Sequence, residues 1–174
     1  MSEIIFRKAT KTDTENLVKL VNSAYRGDSA KAGWTHESDL LEGQRATSSS
    51  IQEFLNKKDS VMILALQDKA FVGCVQVEKD NAETCYFGML TVDPQKQAFG
   101  IGKKIMQQIE VQAKVWGCKT IRATVIHTRK ELIAYYLRQG YTLTGKSYPF
   151  KEFAPDQKQM TDFELQLLEI SKKI

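Results

Sequence analysis

The chain has 174 residues, 42% of them hydrophobic and 26% charged, the proportions of an ordinary folded protein and not of a disordered or fibrous one. That length suits one compact domain spanning 1–174, able to bury roughly 70% of its unfolded surface without disulfide or metal staples. Twenty-five Lys and Arg against twenty-one Asp and Glu leave a net charge of +4, which favours an anionic ligand but falls short of a nucleic-acid footprint.

Cys74, Cys85 and Cys118 are widely spaced, odd in number and free of any C-x-x-C pair, so they read as buried, inert thiols and no metal site is expected. The N-terminal M-S-E-I-I-F-R-K has no apolar leader, and the longest apolar run, Val61 to Leu66, is too short to span a bilayer. A reducing, cytoplasmic setting with no membrane partner is the expectation.

Along the chain, Ile4 to Ala9 alternates as a first strand. Thr12 or Asp13 can cap a helix whose apolar positions Leu17, Leu20, Val21 and Ala24 keep helical spacing. Tyr25 to Arg45 is polar and reads as a loop with a short helix. Ser50-x-x-Glu53 has the form of a capping box opening a further short helix, with Ile51, Phe54 and Leu55 inward. Val61–Gln67, Phe71–Glu78 and Thr84–Val92 follow as strands, and the short links at Asp68 and at Asp80–Asn81 make them antiparallel hairpins.

A helix after Gly100 carries Ile101, Ile105, Ile109, Ala113 and Trp116 and stops at Gly117. Lys119–Ile126 is a strand, and Lys130–Gln139 a helix whose end Gly140 can close in the left-handed conformation. Tyr141–Thr144 and Phe163–Leu168 read as late strands, separated by a polar loop holding Pro149 and Pro155. The order implies an α+β (mixed α/β) fold, a mostly antiparallel sheet with one parallel strand–helix–strand unit around the Gly100 helix.

Glycine weakens a helix, yet Gly100 and Gly102 open this one. A helix N-terminus presents unpaired N–H groups and the positive end of the peptide dipoles, and glycines let a phosphate approach them. The loop lacks the third glycine of G-x-G-x-x-G, having Ile105 there. It also lacks a P-loop's first glycine and Ser/Thr, having Gln97 and Lys104. The plain alternative is a turn before a helix.

Gln97-Ala98-Phe99-Gly100-Ile101-Gly102 does match [Q/R]-x-x-G-x-[G/A], and it follows Leu90-Thr91-Val92-Asp93-Pro94. In both stretches the sequence resembles the GNAT superfamily of N-acetyltransferases. A second segment, E-L-I-A-Y-Y-L-R-Q-G-Y, is similar to that superfamily's A-x-x-x-Y-x-x-x-G-[F/Y], with Tyr136 four residues before Gly140. The resemblance runs roughly from Ile4 to Leu168, with the motifs confined to Leu90–Lys104 and Leu132–Tyr141.

The resemblance implies an enzyme that transfers acetyl from acetyl-CoA directly to a primary amine of a small molecule or amino acid, without a metal. Leu90, Thr91 and Val92 would pair with the pantetheine arm, and Gln97, Ala98, Phe99, Gly100, Ile101, Gly102 and Lys103 would cradle the pyrophosphate. Tyr136 would meet the departing sulfur, while its ring can equally pack on Tyr141 at the helix end. A phenol near pKa ~10 is a weaker acid than a thiol near ~8.5, so a hydrogen bond to the developing charge can suffice. A backbone N–H near Leu90 would stabilise the oxyanion.

The family often carries Asn where this chain has Arg129, which reads as a solvated residue at a helix start. The superfamily's acceptor loop corresponds to Tyr25–Arg45, where Arg26, Trp34 and Glu37 are the candidates; a solvated surface loop is the alternative. Glu37 could attract the amine and the arginines a carboxylate. For the base, Glu83, Tyr86, His36, Glu37 and His127 are candidates beside bulk water.

Other readings are a non-catalytic acyl-CoA sensor, a protein acetyltransferase, or a nucleic-acid binder using Lys103, Lys104, Lys114 and Lys119. The last lacks aromatic–basic interleaving, so no nucleic-acid partner is expected. Many relatives pair, so a homodimer is allowed.

Overall fold

The computed structural model describes residues 2–26 and 37–174. Its main sheet has seven strands: β1 (Ile4–Lys8), β3 (Ser60–Gln67), β4 (Ala70–Lys79), β5 (Thr84–Val92), β6 (Thr120–Ile126), β7 (Thr142–Pro149) and β9 (Gln166–Lys173). They lie in the order β1-β3-β4-β5-β6-β9-β7. Every neighbouring pair is antiparallel except β5–β6, so the fold is the expected mixed sheet with one parallel unit. A small second sheet pairs β2 (Leu41–Glu42) with β8 (Lys158–Gln159).

The helices cover the main sheet on both faces. α1 (Thr14–Tyr25) and α2 (Ser48–Asn56) lie on one face, where Leu17, Leu20, Val21 and Ile51 pack on Met62 and Leu64. α3 (Ile101–Val115) covers the other with Ile101, Ile105, Ile109 and Ala113 against Ile63, Ala65 and Val72. Consecutive β3 residues thus serve opposite layers, as the pleat dictates. The helix crosses β4 closely: a Cβ on Gly73 would stand 2.6 Å from Ile105 Cδ1 and 2.8 Å from the Thr91 carbonyl.

Several local expectations shift. α2 begins earlier than Ser50: Thr47 is its N-cap, and Thr47 and Ser50 form the capping box. The β3–β4 link turns through Asp68 and Lys69, both at positive φ, as a tight hairpin with right-handed twist requires. The late strands are longer than their apolar runs suggest. β7 reaches Pro149, Phe163 lies outside any strand, and β9 continues to Lys173. β9 inserts between β6 and β7, so its polar residues are carried by ladder hydrogen bonds on both edges. α4 (Lys130–Arg138) is followed by Gly140 at φ 94°, the left-handed closure expected there. A short α5 (Phe150–Phe153) completes the described elements.

Candidate active site

Two features open the sheet at its centre. β5 and β6 pair only at Thr84–Thr120, Cys85–Ile121 and Tyr86–Arg122, and beyond those residues the ladder ends. Along the other edge of β5, Cys74 faces Thr91 while Gln76 faces Gly88, which leaves one extra residue on β5. Met89 absorbs it at φ 53°, so Met89–Leu90 forms a bulge beside the opening. Bulges of this kind bend a strand and re-aim its groups.

Two cavities occupy the opening. One, of about 250 Å³, is lined by Val92, Gln97, Gly100, Gly102, Lys103 and Tyr135, among others. The other, of about 260 Å³, lies between the separated strands and is lined by Tyr86, Gly88, Thr124, Glu37, Arg45 and Arg129, among others. Tyr25, Leu90, Leu132 and Tyr136 line both. The two spaces therefore meet at those four side chains.

The first cavity is built on the strand–turn–helix unit. A 3-10 turn, Pro94–Phe99, joins β5 to α3, and Gly100 caps the helix at φ 73°. The first intrahelical bond that follows is Lys104 N–H to the Gly100 carbonyl. The N–H groups of Ile101, Gly102 and Lys103 stand ahead of it, at the positive end of the helix.

The two glycines serve different needs. A Cβ on Gly100 would meet nothing within 4 Å, so the left-handed backbone is what requires glycine there. A Cβ on Gly102 would stand 3.1 Å from the Tyr135 hydroxyl, so that position keeps the cavity wall open.

The remaining loop residues divide. Leu90, Val92, Gln97, Gly100, Gly102 and Lys103 come together around the cavity. Ile101 is in the core beneath α3, and Phe99 is exposed beside a separate hollow with Lys96 and Lys104. Thr91 is buried and donates to the Met89 carbonyl at 2.9 Å, which ties the bulge. Ala98 lies in the 3-10 turn.

Tyr136 is 6% exposed and packs edge-on to Phe87, Tyr135 and Tyr141 with centroids 5.8, 5.7 and 6.0 Å away. Burial, then the neighbouring Tyr25, pushes its hydroxyl well above the ordinary value of 10, so it stays protonated. Tyr25 donates its own hydroxyl to the Leu90 carbonyl, and burial raises it to about 12. The loop expected from Tyr25 to Arg45 starts later, because Tyr25 is the last residue of α1. Its position at the end of an amphipathic helix is ordinary core chemistry, and only the fold brings it to the bulge.

The second cavity is polar at one end. Glu37 sits between two guanidiniums, Arg26 Nη2 at 3.1 Å from one carboxylate oxygen and Arg129 Nη1 at 3.5 Å from the other. Arg26 stands behind Glu37 and away from the cavity, reaching the Gly43 carbonyl at 3.3 Å and Gln157. Its Nε is buried without a partner, and burial lowers its pKa. Arg129 is a correction: it is not solvated but 9% exposed in its side chain and faces the cavity. Trp34 and His36 lie outside the described residues.

Among the base candidates, Tyr86 lines the cavity and shares a 2.8 Å hydrogen bond with Thr124. Glu83 is exposed at the far end of β5 beside Lys119. His127 Nδ1 accepts from the Gln166 N–H at 3.0 Å, a tie to β9. Among the described residues no group of three or more His, Cys, Asp or Glu could hold a metal, and no helix is long and apolar enough to cross a membrane.

A split mixed sheet, a glycine-capped helix at the split and two cavities meeting at a buried tyrosine make up the candidate site. The sequence model for the acetyltransferase (GNAT) family matches residues 19–141, and the chain belongs to that family. No curated protein sequence matches significantly. Among solved structures, the chain is similar to a GNAT-family acetyltransferase from Streptococcus pneumoniae, at 16% identity and TM-score 0.70 over 99% of this chain and 100% of that one. A GNAT-family acetyltransferase from Elizabethkingia anophelis with acetyl-CoA bound aligns at 16% identity and TM-score 0.69 over the whole of both chains. The ribosomal-protein-S18-alanine N-acetyltransferase from Escherichia coli aligns at 12% and 0.73 over 99% and 94%.

Proposed function

We propose that this protein transfers the acetyl group of acetyl-CoA to the primary amine of a small molecule, with donor and acceptor meeting between the two cavities. The observation that carries this reading is the sharing of Tyr25, Leu90, Leu132 and Tyr136 by both cavities. A direct transfer needs its two substrates in contact, and holding them together supplies much of the rate.

The residues fit the donor. Gly102 leaves the wall beside Tyr135 open, and the N–H groups of Ile101, Gly102 and Lys103 suit phosphate oxygens. Acetyl-CoA would supply an activated acetyl thioester, whose C–S bond breaks as the N–C bond forms. Tyr136, neutral at physiological pH, donates a hydrogen bond where negative charge grows on sulfur. Because burial makes full proton release costly, its part is stabilisation more than transfer. A Leu90 N–H at the bulge would meet charge growing on oxygen, a reading supported by Tyr25 holding the Leu90 carbonyl from the other side of the same peptide segment. The acceptor's ammonium loses one proton to water through the second cavity before it attacks, and the proton the nitrogen sheds as the adduct collapses goes by way of water to the departing thiolate.

An acceptor space of about 260 Å³ suits a small amine better than a folded segment. Three free, buried thiols fit a reducing cytoplasm. The test is titration calorimetry with acetyl-CoA, then thiol release with a panel of amines for the wild type and Tyr136→Phe. The expected result is micromolar binding in both and a kcat roughly 100-fold lower in the variant. Absent acetyl-CoA binding by folded wild type would sink the proposal.

A further inference from the structure

The acceptor cavity carries more positive charge than an ammonium would welcome. Glu37 is the carboxylate that lines it, and both of its oxygens already face guanidiniums, Arg26 on one side and Arg129 on the other. Arg45 lines the same cavity and makes no ion pair among the described residues. Among the described residues lining the cavity, two guanidiniums, Arg45 and Arg129, therefore stand against one carboxylate, whose other oxygen is held from behind by Arg26.

Arg45 is also held in place. Asn22 Oδ1 accepts from the Arg45 N–H at 2.8 Å and from the Ala46 N–H at 3.0 Å, while Asn22 Nδ2 donates to the Ala46 carbonyl at 2.9 Å. This clamp from α1 fixes the backbone that presents Arg45. Its guanidinium lies over the Tyr25 ring, 5.7 Å from the centroid, and that ring's hydroxyl reaches Leu90 where the two cavities meet. A preset guanidinium fork thus stands about one aromatic ring from the reaction point, and it matches a carboxylate in shape as well as charge.

We propose that the acceptor is a small amino acid whose free carboxylate is received by Arg45 while its amine sits at the junction beside Leu90 and Tyr136. Glu37 acts as a strut between Arg26 and Arg129 and does not capture the ammonium. The inference rests on the acetyl-transfer reading and narrows it. A peptide N-terminus or a lysine side chain within a protein has lost the α-carboxylate to the peptide bond, so this site selects against most protein acceptors.

The experiment compares matched acceptors. The twenty common amino acids and short ω-amino acids are assayed against their primary amides by thiol release with acetyl-CoA, in the wild type, Arg45→Gln and Arg45→Lys. At least one acid should turn over, with kcat/KM at least ~30-fold above that of its amide. Arg45→Gln should raise KM for the acid roughly 10- to 100-fold, move the amide little, and so collapse the preference. Arg45→Lys should recover part of it, keeping charge but losing the fork. Equal use of acids and amides, or a preference that survives Arg45→Gln, overturns the inference and leaves acetyl transfer standing. Acetyl-CoA binding without turnover of any acid also overturns it, whereas failure to bind acetyl-CoA removes the broader proposal first.

Discussion

Replacing the two glycines at the start of α3 separates conformation from space. Gly100 holds φ 73° with open room around its missing Cβ. Alanine there costs about 1–2 kcal/mol in the left-handed region, offset by up to about 1 kcal/mol from a stiffer unfolded chain. The net loss of about 1 kcal/mol lowers Tm by about 2–4 °C for a chain of this size. Gly102 has ordinary helical φ, and its Cβ would touch the Tyr135 hydroxyl at 3.1 Å. Alanine fits once that hydroxyl gives by a few tenths of an ångström, and it gains some helix propensity. Gly102→Ala should therefore keep Tm within about 2 °C and keep acetyl-CoA affinity within about threefold.

Gly102→Leu directs three further carbons into a cavity of about 250 Å³. It should leave a folded protein whose acetyl-CoA affinity falls by about 100-fold or more, near 3 kcal/mol. Scanning calorimetry and isothermal titration on the three variants give both readouts. Tight acetyl-CoA binding by a well-folded Gly102→Leu protein would refute the assignment of this cavity to the donor. A raised Tm in Gly100→Ala would refute the conformational argument.

Other outcomes follow from the buried charges and hydroxyls. Glu37→Gln leaves Arg26 and Arg129 facing each other with side chains only 5% and 9% exposed. It should cost about 3 kcal/mol, read as a lower urea midpoint with unchanged m-value; an unchanged midpoint would show that Glu37 is not the strut. Stability should also decline in alkali. Burial raises Cys74 and Cys85 from 9.0 to about 12 and Tyr25 from 10.0 to about 12, and it raises Tyr136 too. The folded chain keeps protons that the unfolded chain has lost, so the contribution is complete below pH 9 and drains as pH climbs toward 12. Each group removes about 1.4 kcal/mol per pH unit in its window. Urea unfolding between pH 8 and 11 measures the slope, and a flat profile would contradict the burial of these groups.

Local chemistry was readable without the fold. The period of Ile101, Ile105, Ile109 and Ala113, the left-handed closure at Gly140, and the hairpin at Asp68 all depend on residues a few positions apart. So did the order of the elements and the two motifs that carry the resemblance. Near neighbours impose their sterics and periodicity in any context, which is why they show in a linear string.

What only the tertiary structure decided depends on partners far along the chain. Arg129 looks like a solvated helix start until Glu37, 92 positions earlier, closes on it at 3.5 Å. Tyr25 reads as the start of a polar loop until the fold makes it the last residue of α1 and Leu90 accepts its hydroxyl across 65 residues. The opening between β5 and β6 comes from where the ladder stops, and the polar length of β9 is held by strands on both sides. Burial sets the pKa of Tyr136, and burial is a property of surroundings that no short stretch of sequence contains.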